Sequence, residues 1–305
     1  MFRDHHIRDF MPVIKGAGPS VSTAEPARIP PLIILTILIL LPAAVSAQGT
    51  MGSRTLALGQ TTAALDDDRW AVFHNMARLE PDQPALSVYA MRFAGFAELT
   101  DMAAVFTVPV QSAGLSGGLH HYGFDLFSET RFMAGYKSSL DRFHFGFVTS
   151  YHHVRQGGNY GSAGAVGMNA GIAAEIDHRL TLGARAVNIN RPSYGENEEL
   201  ARELVIGVNY RMSDKAMITG DLVKDVRYPL SVRSGFELWL LDRVAIRTGV
   251  TTAPVTWSLG LGLSLPPLDV NIAVQRHEVL GLSPGIEIGL AFPGTHPLIT
   301  SGGSD

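Results

Sequence analysis

The chain has 305 residues, 46% hydrophobic and 8% aromatic, with 32 glycines, no cysteine and a formal charge of −4. These values exclude disulfides and thiolate metal sites and leave no basic footprint for nucleic acid. The length admits one large domain or two ordinary ones.

The first element is an apolar run, LIILTILILL from Leu32 to Leu41, broken only by Thr36 and followed by PAAVSAQG. Lys15 and Arg28 precede it, and Val45 and Ala47 are the small residues ahead of Gln48. A basic flank, a short apolar core and small residues before a cut make a secretory signal peptide. As a membrane anchor the run would sit at the lower edge of the ~20 residues that a spanning helix needs. Pro30, Pro31 and Pro42 further favour cleavage. The expectation is an N-terminal extension plus signal peptide over 1–47, cut near Ala47, with Met1 or Met11 as the start.

The next stretch, 48–83, contains GSRTLALGQTTAALDDDRWAVFHNMARL from Gly52 to Leu79. Its role depends on what the remaining two hundred or so residues build. From Pro84 onward the pattern has period two, the mark of strands with two different faces. TWSLGLGLSL sets Trp257, Leu259, Leu261, Leu263 and Leu265 against Ser258, Gly260, Gly262 and Ser264. Candidate strands are 84–95, 99–111, 113–124, 128–139, 142–155, 162–177, 179–190, 201–213, 215–226, 230–241, 243–253, 256–265, 269–279 and 283–292. That is fourteen; the first, second and sixth alternate poorly, so twelve is the alternative count. Most match the roughly 9–11 residues of a tilted strand crossing a bilayer. SSLDR, MSDK, LLDR and LPPLD supply polar or Pro-containing turns between them.

Alternation alone does not separate a soluble sandwich from a membrane barrel. Three features favour the barrel: export, a glycine-rich second face with isolated charges, and Tyr136, Tyr151, Tyr210, Tyr228 and Trp257 near strand ends, as interfacial girdles require. The charges are Arg185, Arg211, Arg233, Glu237, Arg247, Asp269 and Glu287, which suit a crowded lumen. A spanning sheet must also close, because lipid cannot satisfy an open edge. The fold class is therefore all-β, a transmembrane antiparallel barrel over 84–292. Residues 48–83, too apolar for a solvated tail, are expected to fold into the lumen as a plug. There Asp66, Asp67, Asp68, Arg69 and Asn75 would meet inward arginines.

The same stretch resembles the start of mature outer-membrane barrels of the FadL and PorV/PorQ type. Gly52, Arg54, Gly59, Asp67, Asp68, Phe73, Asn75, Ala77 and Leu79 match that pattern, while Met76 replaces its usual proline and Gln60 stands where a second glycine is common. The resemblance implies a fourteen-stranded barrel with an N-terminal plug, in which Asp67, Asp68, Phe73, Asn75 and Ala77 belong to the plug and its gating. GIEIGLAF, 285–292, resembles the terminal-strand signal read by barrel-assembly machinery. A Gly/Pro/Ser-rich tail, 293–305, comes after it and is expected to be disordered.

Chemical motifs are thin. GLSGG at 114–118 fits the bare G-x-S-x-G pattern but lacks the strand-to-helix elbow that exposes a nucleophile. His120, His121 and His144 keep a lipid hydrolase only as a minor alternative, requiring a serine and a histidine on one face. Neighbouring histidines on a strand point to opposite faces, so neither His120-His121 nor His152-His153 chelates one metal. His152-His153, before RQGGNYG, reads as an interfacial or loop pair. GSAGAVGMNAG, 161–171, lacks the dinucleotide spacing and reads as a small-residue strand that lets the plug approach. GENEELARE, 195–203, reads as a solvated acidic loop. No cofactor or metal is expected. The function expected is non-enzymatic: a FadL-like outer-membrane conduit for small hydrophobic molecules, through the lumen or a lateral opening. The alternative is a PorV/PorQ-like component docking type IX secretion-system proteins. Partners are outer-membrane lipid and a hydrophobic ligand or those proteins.

Overall fold

The computed structural model describes residues 50–79, 83–93, 96–110, 113–157, 161–195, 198–278 and 281–292. The expected signal peptide over 1–47 and the tail over 293–305 lie outside the described residues. Fourteen strands form the wall: β1 (Ala85–Phe93), β2 (Phe96–Val110), β3 (Ala113–Phe124), β4 (Phe127–Leu140), β5 (Phe143–Gln156), β6 (Gly161–Glu175), β7 (Leu180–Ala186), β10 (Glu203–Ser213), β11 (Ala216–Asp225), β12 (Ser231–Leu241), β13 (Val244–Thr252), β14 (Val255–Leu265), β15 (Leu268–His277) and β16 (Gly281–Ala291). Between β7 and β10, β8 (Ser193–Tyr194) and β9 (Glu198–Glu199) pair only with each other. Each wall strand pairs antiparallel with its neighbours, and β1 closes onto β16 from Ala85↔Ala291 to Met91↔Gly285. The wall therefore closes on itself, the condition for a sheet in lipid.

The two faces are inverted relative to a soluble protein. Leu86, Val88, Leu259, Leu261, Leu263, Ile286 and Ile288 are exposed on the outside, while Ser87, Ser258 and Glu287 are buried inside. A closed barrel with an apolar outer band is a transmembrane one. Tyr136 and Tyr210 lie toward the end where the wall begins and finishes, here the terminal end; Tyr151, Tyr228 and Trp257 lie toward the opposite, far end. At the terminal-end turn after β6, the backbone N–H groups of Arg179 and Leu180 bond the Asp177 carboxylate and hold it below its usual range.

The residues of the sixth expected strand alternate poorly because its inward face carries Ala165, Gly167, Gly171 and Ala173, small residues that give no polar beat. At Gly171 a side chain would overlap the Asn75 amide. The seventh strand is shorter than its expected span of 179–190 and stops at Ala186. Asn188 and Arg191 take left-handed φ of 55° and 54°, which ends the ladder. The far half of β6 thus has no strand on its β7 side. Asn190 stands in for one: its Oδ1 accepts the Met168 N–H at 2.9 Å, its Nδ2 donates to the Val166 carbonyl at 2.8 Å, and the Ile189 N–H donates to the Met168 carbonyl. Beyond this patch Leu200 and Ala201 turn inward and are buried.

Residues 50–79 pack against the inward faces of the strands and are almost wholly buried. They form a five-residue helix, α1 (Ser53–Ala57), and a 3-10 turn, Met76–Arg78. Gly59 and Gln60 both adopt positive φ, 65° and 62°, so Gln60 holds the backbone shape that a second glycine would take without strain. The Asn75 side chain caps the 3-10 turn by accepting the Ala77 N–H at 3.1 Å, so the turn is kept without the proline.

Candidate functional site: the filled lumen

The inner segment meets the wall in two chemically different ways. Toward β6, β7 and β10–β16 most of the anchoring is ionic and hydrogen-bonded, beside small apolar contacts at Val205, Met217, Val223 and Ala273. Arg54 donates to both oxygens of Glu237 at 3.0 and 3.1 Å, and its backbone N–H donates to Glu287. Arg247 donates to the same Glu237 and to Asn271. Burial opposes the Arg54 charge, but the Glu237 carboxylate outweighs it and holds the guanidinium above its ordinary value. Asp221 accepts the N–H groups of Thr62 at 2.6 Å and Ala63 at 3.1 Å. Arg233 donates to the Gln60 carbonyl at 3.0 Å. Arg185 reaches the Phe73 carbonyl and Glu203.

The acidic triplet divides. Asp66 bonds Arg78 within the segment and Arg211 and Asn209 on the wall, the latter two at 2.6 and 2.8 Å. Asp68 turns back to His74 at 2.7 Å, and His74 accepts the Met51 N–H on its other nitrogen, so the ring serves the segment's own fold. Asp67, expected to meet an arginine, instead has a φ of 49° and an exposed side chain at the terminal-end cavity; only its carbonyl bonds Arg54. Asp269 meets Arg69 at 2.8 Å. Ala77 packs its backbone where a side chain on Gly146 would go.

Asn75 is the best-connected of the expected residues. Its amide donates to the carbonyls of Ala63 at 2.6 Å, Ile172 at 3.2 Å and Ala184 at 3.3 Å, joining two ends of the segment to β6 and β7. Asn75→Ala is expected to cost about 1–3 kcal/mol, the range for stranding a buried polar partner. Urea unfolding of the barrel in detergent, read with limited proteolysis of residues 50–79, measures it.

Toward β1–β5 residues 70–76 meet the wall through carbon, and one polar tie lies past them, where Lys137 Nζ donates to the Leu79 carbonyl at 2.6 Å. Trp70, Val72, Phe73 and Met76 cluster with Tyr89, Ala103, Val105, Met133 and Val148. Phe73 lies over Gly118 and Val72 over Gly135. Above this cluster runs a polar belt. His120 donates to Asp101 at 2.7 Å and accepts from Arg131 at 3.0 Å, and His152 bridges Glu129 and Ser150. His152 is therefore inside the barrel, correcting its reading as an interfacial or loop residue: β5 continues to Gln156 and alternation turns it inward. His121 and His153 face outward, beside Thr130 and Tyr151. His144 bonds Ser139 and Glu175.

Ser116 points inward and donates to the Phe106 carbonyl. His120 shares its face but lies four residues along the strand, roughly 13 Å away, so the pair does not make a nucleophile and base. Ser150, His152 and Glu129 do stand in the order of a hydrolase triad, at 3.0 and 3.4 Å, yet Ser150 is 1% exposed and lines no described cavity. Among the described residues no His, Cys, Asp and Glu are grouped to hold a metal ion. Of the acidic loop, Glu203 begins β10 and faces Arg185, while Glu198 and Glu199 are exposed. Burial pushes the Tyr194 phenol well above its usual range.

Two cavities flank the segment. The terminal-end one, of about 370 Å³, is lined by Arg54, Asp67, Arg69, Trp70, Leu79, Trp239, Arg247 and Glu287. The far-end one, about 20 Å³, has Phe73, Met133, Arg131, His152, Asn188 and Val187 around it, directly behind the stretch of wall that Asn188 to Asn190 complete. Sequence reasoning named Asp66 as a partner for an inward arginine but did not single out Arg54 or Asp221 as anchors. It also missed Asn188 and Asn190, although asparagine's tolerance of left-handed φ was a signal.

No family model matches the chain, and no curated protein does. Among solved structures, the toluene transporter TbuX of Ralstonia pickettii aligns with a TM-score of 0.60 at 11% identity, over 80% of this chain and 99% of that one. The P. putida toluene transporter TodX gives 0.62 at 12% identity, over 81% of this chain and 100% of that one. At such identity the likeness is one of fold, and the fold shared is a closed membrane-spanning β-barrel.

Proposed function

We propose that the chain is a FadL-like outer-membrane conduit for small hydrophobic molecules, with residues 50–79 as a plug whose movement around Phe73 to Ala77 gates the route. The observation that carries this reading is the apolar face that residues 70–76 turn toward β1–β5, beside a terminal-end cavity of about 370 Å³ and a far-end one of about 20 Å³, the room of a single water. A component built only to display loops needs neither cavity. The docking alternative also has little platform: the stretch 187–202 sends Asn188, Leu200 and Ala201 into the barrel rather than outward. The fold shared with toluene transporters supports the same reading. The substrate is small and uncharged, the membrane is an outer membrane reached after signal-peptide cleavage, and the role is not catalytic.

Native mass spectrometry of the protein extracted gently from its own membrane tests the proposal. A bound small hydrophobic molecule is expected. A stoichiometric protein partner on an empty barrel would overturn it in favour of docking.

The lateral version of the conduit has its own residue. Asn190→Ala removes the two side-chain bonds that complete the wall beside β6. Backbone amide exchange at Met168 is expected to accelerate while that of Leu204 to Tyr210, held by strand pairing, is unchanged.

A further inference from the structure

A conduit needs a path through its filled lumen, and the path drawn below rests on the conduit reading. Opening the lumen on the β6–β16 side would separate Arg54 from Glu237, Asp221 from the Thr62 and Ala63 N–H groups, and Asn75 from the Ile172 and Ala184 carbonyls, leaving buried polar groups without partners. On the β1–β5 side, among the described residues, no hydrogen bond joins Trp70 to Asn75 with the wall. The contacts there are side-chain carbon against Val105, Met133 and Val148, and against backbone at Gly118 and Gly135. Those two glycines matter because the wall offers no side chain to displace: the Phe73 ring and the Val72 methyls fill the space and are the atoms that must move. Trp70 lies 5.9 Å from Phe73 with the rings tilted at 45°, and 6.0 Å from Tyr89, which it meets edge-on. The cluster also touches both cavities, the far one through Phe73 and Met133 and the terminal one through Trp70 and Leu79.

We propose that cargo crosses the lumen along this carbon-lined seam, between residues 70–76 of the plug and the inward face of β1–β5, and that the cargo is uncharged. The ionic half of the plug stays in place while Val72 and Phe73 lift from Gly118 and Gly135. A cargo that is itself apolar replaces the contacts it breaks, so passage leaves no group unsatisfied. A carboxylate entering the seam would lose its water against the carbon of Val105, Met133 and Val148.

The test uses the full protein in vesicles whose outer leaflet is lipopolysaccharide, with naphthalene and naphthoate as probes. Val72→Cys with Gly135→Cys places two thiols where a side-chain carbon of Val72 already lies 3.1 Å from the position of a Gly135 side chain; the Met76 thioether beside it is a flexible end and can give way. Reduced, the double variant is expected to carry naphthalene and to exclude naphthoate. Oxidised, it should fall to the rate of protein-free vesicles, and a reductant should restore it. Undiminished naphthalene flux with the disulfide formed, confirmed by mass, would overturn the seam while leaving the conduit standing. Absence of flux in the parent protein would overturn the conduit itself. Should the double variant not assemble, Phe73→Ala decides: faster naphthalene entry supports the seam, and an unchanged rate contradicts it.

Discussion

Glu237→Ala is expected to destabilise the barrel by about 3–5 kcal/mol, the cost of removing one member of a buried ionic group. Glu237 is the carboxylate shared by Arg54 and Arg247, and the Glu237 and Arg247 side chains are only 4% and 3% exposed. Without it, two guanidiniums face each other inside the lumen, one on the inner segment and one on the wall. Glu237→Gln should fall between, because the amide keeps an acceptor but loses the charge. Asp242→Ala is the control: its pair with Lys215 is exposed on the terminal-end turns, where ion pairs contribute little. Equilibrium urea unfolding of refolded protein distinguishes the three. The Glu237 variants should also expose Arg54 to trypsin, which a loss confined to the wall would not do.

Gly249→Val should have the larger effect on assembly. A side chain at Gly249 would occupy the space of the Leu58 and Gly59 backbone, and backbone cannot rotate away as a side chain can. Gly59 lies equally close to the backbone of Ser234 and Val250, so the plug has no room to retreat on that side. The expected result is a barrel that still migrates as a folded band but has residues 50–79 open to protease. Gly220→Val is the matched control. A side chain there meets nothing nearer than a carbonyl at 3.5 Å, so the plug should stay protected.

The wall was legible because its code is local. Each strand carries its own period-two pattern, and expected spans differ from observed ones by three residues or fewer apart from the end of β7. The exception is instructive. VNIN, 187–190, alternates as a strand does, but Asn188 leaves the ladder, and nothing in the alternation records that β6 then completes its bonding with an asparagine side chain. His152 was misplaced for a related reason: the glycines after it suggested a loop, while the strand continues past it.

The contacts of residues 50–79 with the wall were not legible in the sequence. Which acid of the triplet meets an arginine depends on how the segment sits in the barrel. Asp66 faces Arg211, Asp68 faces His74 and Asp67 faces the cavity, although all three look alike in sequence. The division between an ionic side and a carbon side likewise needs long-range register, since it sorts Arg54 and Asp66 from Val72 and Phe73 by the strands they meet.

The most direct test of the central claim is the rate at which naphthalene crosses vesicles with a lipopolysaccharide outer leaflet, with and without the parent protein. Faster, saturable entry is predicted with the protein present. None of that gain is expected for Phe73→Gln or Phe73→Lys, whose polar side chains would sit in the carbon-lined contact. Equal rates with and without the protein would contradict the conduit.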